Sequence, residues 1–128
     1  MQVILTKDID NLGVNNYQYD ELGRVLEVIA NYRPGFADNA DTNVRTRYQY
    51  DEVGNLTALT DPRNNITTFS YDTLGRLAST TDPLSRSMSY EYDQRSLLTR
   101  WNKADGTQLD YTYDLLGQLS NLNAPDQT

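Results

Sequence analysis

Five aspartates each stand directly behind a tyrosine: Tyr19-Asp20, Tyr50-Asp51, Tyr71-Asp72, Tyr92-Asp93 and Tyr113-Asp114. The chain holds 18 Asp and Glu with no His and no Cys, so its carboxylates are the strong acid-base candidates, and the chemistry open to them is that of a glycosidase acid and base pair. Their spacing argues against it. The first interval is 31 residues and the next three are 21 each, whereas an enzyme needs one asymmetric site with perturbed proton affinities. Ser70 and Ser87 have no histidine partner, and Lys7 and Lys103 lie in no Ser-x-x-Lys context, so nucleophilic hydrolysis is not indicated either. The expectation is a chain that is not an enzyme and takes no cofactor and no metal.

The aspartates fit turns better than active sites. Gly23, Gly54, Gly75 and Gly117 follow three residues after Asp20, Asp51, Asp72 and Asp114. A carboxylate there accepts backbone N–H bonds, and glycine supplies the positive φ that returns the chain. The fourth copy has Ser96 at the glycine position, which predicts a distorted or more mobile turn over residues 94–97. A second turn begins at Thr60-Asp61-Pro62 and Thr81-Asp82-Pro83 and becomes Asn102-Lys103-Ala104-Asp105-Gly106 in the next copy. There Asp bonds ahead to the backbone and Pro fixes φ, or an Asp-Gly pair replaces it.

Removing two turns from each repeat leaves roughly six or seven residues for each of two strands, the usual strand length. The fold class that follows is all-β: tandem β-hairpin repeats of about 21 residues forming an extended, twisted antiparallel sheet of about ten strands. Residues 1–128 are expected to be a single array and a piece of a longer protein, with stability arising between repeats. Val3 to Leu5 reads as a short strand and Asp10 to Gly13 as turn material. Val25 to Ile29 has helix-compatible apolar spacing, but the repeat requires a strand. The extra residues of the first interval form an elongated inter-repeat loop over 31–43, rich in Pro, Gly, Asp and Asn. Asn39, Asp41 and Asn43 alternate like calcium-loop ligands, yet the glycine and the closing glutamate of such a loop are missing, so a polar loop is expected.

Tyr and Phe two residues apart project to one side of a strand. Two aromatic ladders are expected across repeats: Tyr19, Tyr50, Tyr71, Tyr92 and Tyr113 in one, and Tyr17, Tyr48, Phe69, Tyr90 and Tyr111 in the other. With 38% hydrophobic residues but 10 Tyr, the core should be thin and tyrosine-rich. Trp101 stands where Thr60 or Thr80 stands in neighbouring copies, either covering the end of a ladder or exposed to bind a sugar ring or a protein. A net charge of −7 repels phosphate backbones and anionic lipid, and no stretch is long and apolar enough to insert in a membrane. Nucleic acid is excluded as a partner. An open sheet leaves two unpaired edges, which predicts edge-to-edge self-association or coverage by the terminal segments.

Tyr-Asp-x-x-Gly-Arg-Leu, with Thr-Asp-Pro about ten residues before the next Tyr-Asp, closely resembles the YD-repeat, or Rhs-repeat, family over residues 17–123. Asp72 to Leu77 matches the signature throughout; the Asp51 and Asp114 copies lack the Arg and the Asp93 copy lacks the Gly. That family includes Rhs polymorphic toxins, C subunits of Tc toxin complexes and teneurins. The resemblance implies a β-sheet ribbon that in full-length relatives becomes a shell around a toxic domain, and a secreted or surface protein whose partners are effector cargo or neighbouring repeats. The self-cleaving Asp-Pro-x-Gly-Leu segment of toxin members has no counterpart in this sequence. A structural scaffold segment is the reading; a carbohydrate- or protein-binding module using exposed Tyr and Trp101 is the alternative.

Overall fold

The computed structural model describes residues 14–124 and the backbone of residues 2–7; the turn expected at Asp10 to Gly13 lies outside them. Two compact units, Met1–Ile66 and Thr67–Thr128, divide the chain. In the first, β1 (Gln2–Lys7), β2 (Val14–Tyr19), β3 (Val25–Ala30), β4 (Val44–Tyr50) and β5 (Leu56–Thr60) each run antiparallel to the strand before. Val25–Ala30 is a strand because β2 and β4 claim its backbone from both sides.

The second unit continues in the same manner. Its strands are β6 (Ile66–Tyr71), which starts at the boundary, β7 (Leu77–Thr81), β8 (Ser87–Tyr92), β9 (Leu98–Asn102), β10 (Gln108–Tyr113) and β11 (Leu119–Asn123). They form the same sequential antiparallel meander. The fold is all-β, built from hairpin repeats, with 11 strands among the described residues. The number exceeds ten because β1 precedes the first full repeat.

Two kinds of hairpin alternate. Each Tyr-Asp hairpin carries a β-bulge next to its second tyrosine, so that Tyr71 faces Leu77 while Ser70 faces Ser79 and Ala78 is the extra residue. The β7–β8 and β9–β10 hairpins pair without such a shift. A bulge bends its strand and re-aims the neighbouring side chain. Here that neighbour is always the tyrosine of the motif.

Strand alternation sorts the side chains of each unit onto two faces. In the second unit Phe69, Tyr71, Met88, Tyr90, Tyr92, Trp101, Leu109, Tyr111 and Tyr113 share one face by register. The other face is polar. There Ser70 bonds Ser79 at 2.7 Å, Thr81 bonds Ser87 at 2.9 Å, Asn102 donates to Ser89 at 2.9 Å and Arg100 donates to Asp110 at 2.7 Å. Such a sheet has one side to cover and one to leave in water.

The corresponding face of the first unit is different. Ile29, only 2% exposed, lies between Asn16 and Arg45, and Glu27 between Gln18 and Arg47. Ile29 and Ala58 are the only buried hydrophobic residues among those described. The core is therefore thin, as a single sheet layer must be.

The loop of residues 31–43 is held down from inside. Asn43, 4% exposed, accepts the Arg33 N–H at 2.7 Å and donates to the Phe36 carbonyl at 2.7 Å. Asn39 accepts the N–H groups of Asp41 and Thr42, both at 2.9 Å. Two of the three residues with calcium-loop spacing thus have their oxygens directed at backbone. Arg45 packs against this loop, and its guanidinium donates to Asp38 at 2.5 Å and to Glu27 at 2.9 Å.

Candidate functional site

The repeated aspartates anchor turns of one geometry. In the Asp72 turn the Gly75 N–H donates to the Asp72 carbonyl at 3.0 Å and the Asp72 N–H to the Arg76 carbonyl at 2.9 Å. Oδ1 of Asp72 accepts the N–H groups of Leu74 and Arg76, both at 2.9 Å, and Oδ2 accepts Arg76 Nε at 2.7 Å. Asp20, Asp51, Asp93 and Asp114 accept the equivalent backbone pairs. The turns that begin at Asp61 and Asp82 do the same. The two turn types of the repeat are one device.

Each such turn requires a left-handed residue at its fourth position. Gly23, Gly54, Gly75, Gly106 and Gly117 fill it, and so do Asn64 at φ 63°, Ser85 at φ 61° and Ser96 at φ 65°. The distortion expected at 94–97 is therefore corrected. Ser96 adopts the conformation of Gly75 and its N–H donates to the Asp93 carbonyl at 3.0 Å. The backbone bonds converging on Asp93 enforce a conformation that costs an L-residue roughly 1–2 kcal/mol.

These hydrogen bonds hold the carboxylates ionised. The backbone N–H of Arg76, and beyond it the Arg76 side chain, keep Asp72 below the usual carboxylate range; Leu97 N–H does this for Asp93, and the Arg86 side chain for Asp82. A general acid at neutral pH needs the opposite shift. The arrangement suits fixed anchors.

An arginine four residues after Asp joins one repeat to the next. Arg24 bonds Asp20 through Nε at 2.6 Å, reaches the Asp51 carbonyl through Nη1 at 3.1 Å, and lies 4.9 Å from the Tyr50 ring centroid. Arg76 bonds Asp72, reaches the Asp93 carbonyl at 3.0 Å and lies 4.7 Å from the centroid of Tyr92. In the fourth copy Leu97 stands at that position, and Arg95 acts instead, binding Asp93 at 3.0 Å and the Asp114 carbonyl at 2.9 Å. The tyrosine completes the clamp. Tyr50 O–H donates to the Val25 carbonyl at 2.9 Å, Tyr92 to Leu77 at 2.9 Å and Tyr113 to Leu98 at 2.8 Å. Burial pushes the phenols of Tyr50 and Tyr92 above their usual range.

The ladder of stacked equivalent rings is also corrected. Equivalent tyrosines are two strands apart, roughly 9–10 Å, beyond stacking reach. In the Asp20 and Asp72 copies an arginine lies over the tyrosine of the next repeat, and the ring pairs that stack among the described residues include Tyr17 with Tyr19 and Tyr90 with Trp101. The arginines were the missed residues, although the Asp-x-x-Gly-Arg spacing of the Asp20 and Asp72 copies carries their signal.

Trp101 pairs in register with Tyr90, as Leu59 does with Tyr48 and Thr80 with Phe69. Its counterpart in the second copy is Leu59, not Thr60, because the register runs from the Tyr-Asp turn. Its ring stacks on Tyr90 at 6.4 Å and 13°, and Lys103 Nζ lies 5.5 Å from its centroid. Nε1 is shielded and meets no hydrogen-bond partner among the described residues. A cleft of about 510 Å³ lined by Arg86, Met88, Trp101, Lys103 and Asp105 opens beside it.

The sequence matches the RHS Repeat family model in three overlapping segments, residues 38–66, 50–87 and 71–100. The chain belongs to the Rhs-repeat family. The segments of this Rhs-repeat chain follow the Asp51, Asp72 and Asp93 hairpins. No curated protein matches its sequence. The solved TcdB2-TccC3-Cdc42 structure shares its fold at TM-score 0.70 and 21% identity, over 86% of this chain and 6% of that one. A TcdB2-TccC3-TEV structure matches at TM-score 0.71 and 21% identity, over 91% of this chain and 7% of that one. The Rhs-repeat chain spans a small fraction of the length of those it resembles.

Proposed function

We propose that this chain is a non-catalytic wall segment of a secreted or surface Rhs-type protein, one array that helps enclose or present a protein partner. The observation that supports this most is the clamp. Arg24, Arg76, Arg95 and the tyrosines opposite them direct their polar groups at the neighbouring repeat. Side chains that resemble a site are thereby committed to joining hairpins, and joined hairpins make a surface of arbitrary length.

A deletion series tests the reading. Removing residues 73–93, one whole period, joins Asp72 to Gln94, so that Asp72 takes the place of Asp93 and the pattern is unbroken. A wall segment keeps its β-sheet circular dichroism and loses urea resistance by one repeat's share. Complete unfolding of this variant, with all other single-period deletions also unfolded, would defeat the proposal.

The cleft beside Trp101 favours a second reading, in which a sugar or protein ring lies against Met88 and Trp101. Titration with neutral and acidic oligosaccharides at millimolar concentration should then shift Trp101 emission saturably. Unchanged emission throughout rejects it for glycans.

A further inference from the structure

The loop that interrupts the repeat builds a pocket. The interval from Asp20 to Asp51 is 31 residues against 21 for the later ones, and insertions into repeat arrays emerge as loops, often on the binding face. Here the loop of residues 31–43 has a fixed shape, with left-handed backbone at Asn31, φ 51°, and at Asn43, φ 53°. Between it and the turn that begins at Asp61 opens a pocket of about 230 Å³, lined by Asp38, Asn39, Arg45, Arg47, Pro62 and Asn64. All of these residues belong to the first unit.

The polar groups around this pocket are engaged unequally. Arg45 uses all three guanidinium nitrogens, Nε and Nη2 on Asp38 at 2.5 and 3.4 Å and Nη1 on Glu27 at 2.9 Å. Arg47 uses one. Its Nε donates to the other Glu27 oxygen at 2.8 Å, and its Nη1 and Nη2 have no partner among the described residues. Asn39 Oδ1 accepts two backbone N–H groups, which orients the amide and leaves Nδ2 as a donor without an acceptor. The Asn64 N–H donates to the Asp61 carbonyl at 2.9 Å, while its side-chain amide meets no partner among the described residues.

The acceptors, by contrast, are taken. Asp38 is held by Arg45, and Asn43 Oδ1 accepts the Arg33 N–H. What the pocket offers is donors: the Nη edge of one guanidinium and two amides. Glu27 and Asp38 balance the charges of Arg45 and Arg47, so the direction of the donors, rather than net charge, selects the ligand.

We propose that this pocket binds a small dicarboxylate, one carboxylate on the Nη edge of Arg47 and the second oxygen-bearing end on the amides of Asn39 and Asn64. A planar fork of N–H groups matches the two oxygens of a carboxylate. The volume holds roughly seven or eight water-sized groups at about 30 Å³ each, more than acetate or phosphate fills and as many as the heavy atoms of a four-carbon diacid. The proposal goes beyond the wall reading and does not rest on it, because the donors it uses join no hairpins.

The test is a titration of the ¹⁵N-labelled full chain with succinate at millimolar concentration and constant ionic strength. Saturable shifts are expected at the Arg47 Nε–H and at the side-chain amides of Asn39 and Asn64, with no response to the neutral isostere succinamide. Acetate should bind about 5-fold more weakly or worse, for want of the second end. Asn64→Gly, which puts at this turn position the residue found there in five other turns, should weaken succinate about 5-fold. Arg47→Lys keeps the charge but not the fork and should weaken it roughly 10-fold or more. Asn39→Asp keeps the acceptor that holds the loop, replaces the donor by a carboxylate, and should abolish binding. Unmoved backbone signals of Phe36 and Thr42 show in each variant that the loop is intact. An equal response to chloride, tighter binding of phosphate, a failure to saturate, or unchanged affinity in Arg47→Lys or Asn64→Gly overturns the proposal. The deletion series reads stability and this titration reads binding, so either can fail alone.

Discussion

The turns at Asp72 and Asp93 have the same shape and different residues. The first has glycine at its left-handed position, at φ 77°, and Arg76 four residues after the aspartate. The second has Ser96 at φ 65° and Leu97 after it, and Arg95 reaches from within the turn to make both bonds that Arg76 makes in the first. The comparison teaches that the repeat specifies contacts, an anchored carboxylate and a guanidinium on the next carbonyl, more tightly than it specifies positions. Ser96 also accepts from Arg76 Nη1 at 3.2 Å, so the serine joins the clamp that a glycine could only permit.

The largest test of that equivalence lies at Gly75. No atom lies within 4 Å of a Cβ placed there, so Gly75→Ala costs only the left-handed strain, about 1–2 kcal/mol in urea unfolding. Arg76→Met should cost about 1 kcal/mol through the ring of Tyr92 and the Asp93 carbonyl. Arg95→Met should cost less, since Arg95 is the more exposed of the two. A larger loss at Arg95 would mean that the two arginines are not equivalent. Tyr92→Phe removes one hydroxyl from the Leu77 carbonyl and should lower stability by roughly 0.5–1.5 kcal/mol. Ser96→Gly relieves strain but surrenders the contact with Arg76, so a small net gain, under ~1 kcal/mol, is expected from the same unfolding curves.

The smallest effect is that of acid. Asp72 and Asp93 both titrate below the ordinary value of 3.8 in the folded chain, chiefly through backbone N–H bonds. Depressed folded values mean stability that is present above the unfolded pKa and is lost as pH falls through the folded ones. The urea midpoint should therefore stay level down to about pH 4 and decline below it. Asp72→Asn should flatten part of that decline. A midpoint rising on acidification would contradict the anchoring role.

Much of the fold was legible because its signals are local. The Asp-x-x-Gly spacing marked hairpin corners, and period arithmetic set strand lengths of the kind found. Asn64 and Ser85 carried the same turn signal in weaker residues, since they too stand three after an aspartate. The clamp was less legible, because a guanidinium over the next repeat's tyrosine is a contact across 26 or 16 residues of sequence between Arg24 and Tyr50 or Arg76 and Tyr92. The bulges left no compositional mark. Trp101 was placed one residue out of register in the second copy because it was counted from the variable Thr-Asp-Pro turn.

The third residue of the Tyr-Asp turn is Leu22, Val53, Leu74 or Leu116 in four copies, at 75%, 83%, 70% and 84% exposure. None of these side chains supports the turn behind it, whose bonds are made by Asp and backbone. Colloidal behaviour is thus separated from foldedness in this protein: lysine at all four tips would change how the chain precipitates and how it sticks to surfaces while leaving its melting curve in place.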